Sequence, residues 1–207
     1  MENLYAYLFG LLISFVGVIT PGMLNMTAAK ISLSKGKQMA LWFSFAAVIV
    51  VFFQSFLGVY FAKYLDANPY VTHTIKKFAT VIFVLLTVFF IRNGLREKKE
   101  VNIKLKDNFN PFLYGISLSA LNMFAIPYYA VSSLTLASKD LFSFKILEII
   151  LFSLGVFSGV FLVYYIYSVF FKKIEHRISF ISNNINFLIA AATGFVALSS
   201  IYKIMVE

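Results

Sequence analysis

The amino-acid sequence predicts an all-α integral membrane protein of six transmembrane helices, arranged as two inverted three-helix repeats. Three observations carry that expectation. Hydrophobic residues make up 60% of the 207-residue chain and charged ones 13%, against about 45–50% and 25% in soluble domains. The apolar residues arrive in long blocks, several near the roughly 20 residues that a bilayer-crossing helix needs. The Lys and Arg residues gather between those blocks, as they do where loop charge sets topology.

Taken in order, the blocks are 5–19, 39–61, 78–91, 112–130, 146–171 and 185–204. The third is short, and it reaches spanning length when Lys76, Lys77 and Arg92 snorkel to the two surfaces. The first follows an acidic Met1-Glu2-Asn3 start and runs into Thr20-Pro21-Gly22. A cleaved signal peptide begins basic and ends at a small-residue site, so a retained span is expected. The hydrophilic stretch 95–111 divides a first repeat, 1–94, from a second, 112–207. Three spans per half make the halves enter the membrane in opposite senses.

Charge gives the orientation. Twelve cationic residues lie on the side of the central linker: Lys30, Lys35, Lys37, Arg92, Arg96, Lys98, Lys99, Lys104, Lys106, Lys172, Lys173 and Arg177. Six lie on the other: Lys63, Lys76, Lys77, Lys139, Lys145 and Lys203. The richer side is cytoplasmic by the positive-inside rule, which places both termini outside. Tyr5, Tyr7, Tyr60, Tyr64 and Tyr70 are then expected at the outer interface, and Tyr114, Tyr164, Tyr165 and Tyr167 near the inner one. The net charge of +9 is explained by topology and lipid headgroups, so no nucleic-acid partner is expected. With no Cys, disulfides, thiolate redox chemistry and Cys-based metal sites are excluded.

Two polar breaks interrupt the apolar blocks at matching places, Thr20-Pro21-Gly22-Met23-Leu24-Asn25 in the first half and Leu121-Asn122-Met123 in the second, with Pro127 just beyond. Pro21 disfavours helix at Thr20, and Gly22 tolerates conformations closed to other residues. An amide held in hydrocarbon needs partners. Paired breaks of this kind, one per half, point to a solute site near the bilayer midplane. The candidate substrate-binding residues are therefore Pro21, Gly22, Asn25, Gln54, Asn122 and Pro127. Each has a plainer reading beside it. Pro21-Gly22 serves equally as a helix end, Pro127 as a packing kink, and the amides of Asn25, Asn122 and Gln54 as contacts between helices.

Other features carry structure rather than chemistry. Gly155 and Gly159 form a small-xxx-small pair, as do Ala190 and Gly194, and both let helices approach closely, internally or at a homodimer seam. Glu148 stands three residues after Lys145, a spacing that suits a surface ion pair. His73 and His176 flank spans. No Ser-His-Asp set, His-Glu-x-x-His, phosphate loop or paired acids is present, so catalytic residues, cofactors and metal ligands are not expected.

Thr20-Pro21-Gly22, followed by Ile31-Ser32-Leu33-Ser34-Lys35-Gly36, resembles the opening signature of the LysE/RhtB (lysine and threonine/homoserine exporter) family, and Leu121-Asn122 lies where that family has Leu-Asn-Pro-Lys. The chain departs from the pattern at Met23, Leu24, Met123 and Phe124. The resemblance implies a divergent secondary transporter that exports amino acids or similar small metabolites across a bacterial inner membrane. Its partners would be an amino acid-like solute and membrane lipid. Two other classes were weighed from the residues: a carrier of another solute such as a divalent cation, and a non-transporting membrane scaffold.

Overall fold

Helix ends in this chain are set by a few residues with clear local reasons. A computed structural model describes residues 2–20, 22–68, 84–85, 87–88, 91–92, 110–122 and 124–206, with backbone only for most of 171–206 and for residues 2 and 3. Among the described residues there are helices and no strands. They are α1 (Glu2–Val18), α2 (Met23–Lys35), α3 (Lys37–Asp66), α4 (Pro111–Ala120), α5 (Ala125–Ala137) and α6 (Ile146–Val206).

The first helix stops at Val18, two residues short of the Thr20-Pro21 step that disfavours helix. The chain restarts at Met23 from an extended Gly22. A single residue, Gly36, then joins α2 to α3. Its φ of 96° is open to glycine and strained for other residues. In the second half Asn110 caps α4, its Oδ1 accepting from the amides of Phe112 and Leu113 at 3.0 and 3.2 Å. Pro111 takes the first helical position, where a missing N–H costs nothing.

Both broken elements bend sharply. Leu4–Val18 and Met23–Lys35 meet at 75°, and Pro111–Ala120 and Ala125–Ala137 at 61°. Each pair is apolar enough to count as one span, while α3 and the Ile146–Phe170 part of α6 qualify alone. The fourth span is broken at Leu121-Asn122 as expected, and it differs from the 112–130 block only in its far end, which reaches Ala137. The expected third span, 78–91, lies mostly outside the described residues, with helical backbone at 84–85, 87–88 and 91. A turn was expected between 171 and 185. The backbone there is helical instead, and α6 runs from Ile146 to Val206. No Pro or Gly falls between Gly159 and Gly194, so local chemistry supplies no stop signal.

The residues cluster into two units, Met1–Asp66 with Leu105–Glu175, and Ala67–Lys104 with His176–Glu207. In the second, Gly194 faces the Thr87 methyl, where an added Cβ would stand at 3.3 Å. The first unit holds α1 to α5 and the start of α6. Within it α3 packs against α2, α4 and α5. Gly115 on α4 sits against the backbone of Phe43 and Ala47, and Gly58 on α3 against the backbone of Ile126 and Ala130 on α5. Gly155 and Gly159 of α6 lie against Tyr7 and Leu11 of α1, and Gly10 returns the contact at Phe152. The small residues therefore mark close helix crossings, as small-xxx-small pairs do in membranes.

Outward-facing residues such as Phe53, Leu57, Leu113, Val131, Leu154 and Leu162 are large, apolar and exposed. A hydrocarbon solvent suits that exterior. Three buried hydroxyls return to their own helix: Thr27 to the Met23 carbonyl at 2.7 Å, Ser44 to Ala40 at 2.7 Å and Ser153 to Ile149 at 2.9 Å. Glu148 corrects the expectation of a surface position. It is only 4% exposed, and its carboxylate accepts from the Ser143 amide at 2.9 Å and hydroxyl at 2.6 Å. The carboxylate thereby ties the turn before α6 to the helix start, where negative charge is favoured. Tyr5, Tyr60, Tyr64 and Tyr165 are exposed as belt residues should be, but Tyr164 and Tyr167 are buried inside the unit. Tyr7 turns inward too, donating to Ser158 Oγ at 2.9 Å. Tyr70 lies outside the described residues.

Candidate functional site

The two breaks line one cavity. Its volume is about 340 Å³, and its walls come from Gly17, Val18, Thr20, Gly22, Met23, Leu24 and Asn25 at the first break and from Asn122, Phe124, Ala125, Tyr128 and Tyr129 at the second. Val51 of α3 and Val160 and Tyr164 of α6 complete it. This size is at the low end of the ~300–1,000 Å³ typical of small-molecule pockets. Among the described residues, no lining side chain is charged.

Asn25 and Asn122 occupy matching places and do different work. Asn25 is 3% exposed and its amide is fully engaged. Nδ2 donates to the carbonyls of Val18 at 2.7 Å and Thr20 at 2.8 Å, and Oδ1 accepts from the Gly22 amide at 3.2 Å. The side chain thus replaces the helical bonds that the break removes. Tyr167 adds to this, its hydroxyl donating to the Ile19 carbonyl at 2.8 Å. The Tyr128 hydroxyl crosses from α5 to the Ile13 carbonyl at 2.9 Å and fills the space beside Gly17 that a Cβ would need.

At the second break the backbone is held from behind. Gln54 Nε2 donates to the carbonyls of Ser119 at 3.1 Å and Asn122 at 3.3 Å, while Ser119 Oγ donates to the Ala47 carbonyl at 2.9 Å. Gln54 is buried, is not among the cavity-lining residues, and leaves its Oε1 enclosed without a donor. The Asn122 side chain, by contrast, lines the cavity half-buried and makes no hydrogen bond among the described residues.

Pro127 falls in the first turn of α5, exposed and away from the cavity walls. It leaves the Phe124 carbonyl bonded, since that oxygen accepts from the Tyr128 amide at 3.2 Å. A proline in a first turn gives up an N–H with no obligatory intrahelical partner. Pro127→Ala is therefore expected to shift stability by no more than about 0.5–1 kcal/mol, read as a thermal midpoint in detergent. Pro21 lies outside the described residues, while its neighbours Thr20 and Gly22 line the cavity.

The electrostatic balance follows from these bonds. Carbonyls at the ends of α1 and α4 are covered by Asn25, Tyr167 and Gln54. The starts of α2 and α5 face the cavity, and neither carries a capping side-chain bond beyond the Asn25 contact to Gly22. Two helix starts on the cavity, with side-chain donors on several of the facing end carbonyls, favour an anionic group there.

Sequence reasoning missed the tyrosines. Tyr129 and Tyr164 are each 2% exposed and line the cavity. Neither hydroxyl makes a hydrogen bond among the described residues, nor is either sealed off as Gln54 Oε1 is. Both rings stand on the cavity wall. A signal was present: the Tyr128-Tyr129 pair directly follows the second break, and Tyr164 lies well inside an apolar block rather than at its end.

Apolar spanning helices, two of them broken around a shared cavity, define a multi-pass membrane transporter for a small solute. Residues 15–203 match the family of LysE type translocators, and the chain belongs to that family. Amino-acid export is the family's typical role, as the resemblance of the break motifs implied. No curated protein and no solved structure matches the chain.

Proposed function

We propose that the protein is a secondary exporter that carries amino acids or similar small metabolites out of the cytoplasm by alternating access. The convergence of both breaks on one cavity is the observation that carries this reading. Substrate binds between the broken spans, its carboxylate toward the starts of α2 and α5 and the free Asn122 amide. The two halves, built as inverted three-helix repeats, then rock about the site. Crossed packing supports that plan: the first broken span lies on α6 of the second half, and the second broken span on α3 of the first. Excess Lys and Arg on the linker side support a bacterial inner-membrane protein with both termini outside the cytoplasm.

Reconstitution tests it. Liposomes preloaded with a mixture of amino acids should take up labelled amino acid by counterflow when they contain the protein. Asn122→Ala should cut that uptake about tenfold or more, as expected for a hydrogen bond to a charged group, while folding as the parent does. Protein-containing liposomes that exchange no solute, or an Asn122→Ala variant with full uptake, would overturn the proposal.

A further inference from the structure

We propose that this cavity selects α-amino acids with uncharged, apolar side chains, and that the Tyr129 and Tyr164 hydroxyls hold the substrate's ammonium group. The inference rests on the exporter reading above and concerns which amino acids pass. Two buried tyrosines carry hydroxyls that make no hydrogen bond among the described residues, although a buried phenol ordinarily finds a partner. Their position on the cavity wall assigns that partner to the solute. Each hydroxyl oxygen accepts from an ammonium N–H, and the aromatic faces attract the same charge.

Several backbone carbonyls at the breaks already have donors: Val18 and Thr20 take the Asn25 amide, Ser119 and Asn122 the Gln54 amide, and Phe124 the Tyr128 backbone N–H. The Tyr129 and Tyr164 oxygens stand on the cavity wall and take no donor among the described residues. The carboxylate goes to the open helix starts, and the side chain to the wall of Leu24, Val51, Phe124 and Val160. A second charge on the solute would meet that apolar wall with no opposite charge among the described lining residues. A desolvated, unpaired charge is costly, so lysine, arginine and glutamate are disfavoured.

Competition and two conservative variants read this directly. In counterflow into liposomes carrying the full chain, unlabelled leucine and phenylalanine should displace labelled leucine at concentrations at least ~100-fold below those needed with lysine, arginine or glutamate. Tyr129→Phe and Tyr164→Phe each remove one oxygen and keep the ring. Each should raise the half-saturating leucine concentration about tenfold, the size of a lost charge-assisted bond. Their thermal midpoints should stay at the parent value, because neither hydroxyl holds the fold together. Lysine competing as well as leucine, or a double Phe variant with unchanged leucine saturation, would overturn the inference and leave the exporter reading standing. Exchange of no amino acid at all would remove both.

Discussion

Asn25→Asp should damage the protein more than Asn25→Ala, although Asp is the closer match in shape. In the native arrangement Nδ2 donates to two carbonyls, of Val18 and Thr20, at 2.7 and 2.8 Å. Alanine leaves both oxygens without that donor and releases the Gly22 amide as well. Each polar group left unmet in a buried place costs about 1–3 kcal/mol, reduced where cavity water can reach it. Aspartate goes further, because it replaces the donor with a carboxylate oxygen held against two carbonyl oxygens at the negative end of α1. We expect a loss of about 3 kcal/mol or more for Asp, and about 2 kcal/mol for Ala. Thermal unfolding in detergent at neutral pH, with protease sensitivity across 19–22, measures both. Asp as stable as the parent would show that the Asn25 amide does not bridge the break.

The same residue type at the matching place behaves differently. Among the described residues Asn122 makes no side-chain hydrogen bond, so its removal should affect uptake and leave stability alone, as tested above. The contrast has a structural origin. At the first break the clasp comes from within α2, three residues after Gly22, whereas at the second it comes from Gln54 on α3. With Gln54 covering the carbonyls of Ser119 and Asn122, the Asn122 side chain is left to line the cavity.

This division explains how much could be read from residues alone. Both breaks were legible, because Pro and Gly act locally and an Asn in an apolar run is conspicuous. The close crossings at Gly155 and Gly159 were legible for the same reason. Which amide serves the backbone and which serves the cavity depends on neighbours 65 and 68 residues away in the chain, such as Gln54 against Ser119 and Asn122. No spacing rule reports that. Tyrosines were misplaced because phenols favour the membrane interface on average; Tyr164 and Tyr167 depart from that average where the ring lines a cavity or a broken helix offers the hydroxyl a carbonyl. Pro127 misled in the opposite direction. A proline next to a break reads as its cause, yet here the helix has already stopped at Ala120 and Pro127 only begins the next one.

Gly155→Leu is expected to have the largest effect on folding. A Cβ at Gly155 would collide with the Tyr7 carbonyl oxygen and stand 2.8 Å from the Leu11 amide nitrogen and 2.9 Å from the Tyr7 carbonyl carbon. These are backbone atoms, so no rotamer change in α1 can relieve the overlap. Gly159 meets Leu11 and Ser14 one turn on, and Gly10 meets Phe152 from the other side. Three glycines therefore set one crossing, and relief at Gly155 requires α1 to move away along its length. That shift would break the Tyr7–Ser158 hydrogen bond and pull the Val18–Gly22 break off the cavity. Overpacking of a rigid contact costs about 3 kcal/mol, and more when only backbone can yield. Gly194→Ala gives the control, because its neighbour at 3.3 Å is the end of the Thr87 side chain; that change should stay within about 1 kcal/mol, with improved helix propensity offsetting the tight contact. Monodisperse yield and thermal midpoint in detergent separate the two. A Gly155→Leu variant that purifies and melts like the parent would mean that α1 and α6 do not cross at this point, and the cavity built on that crossing would have to be redrawn.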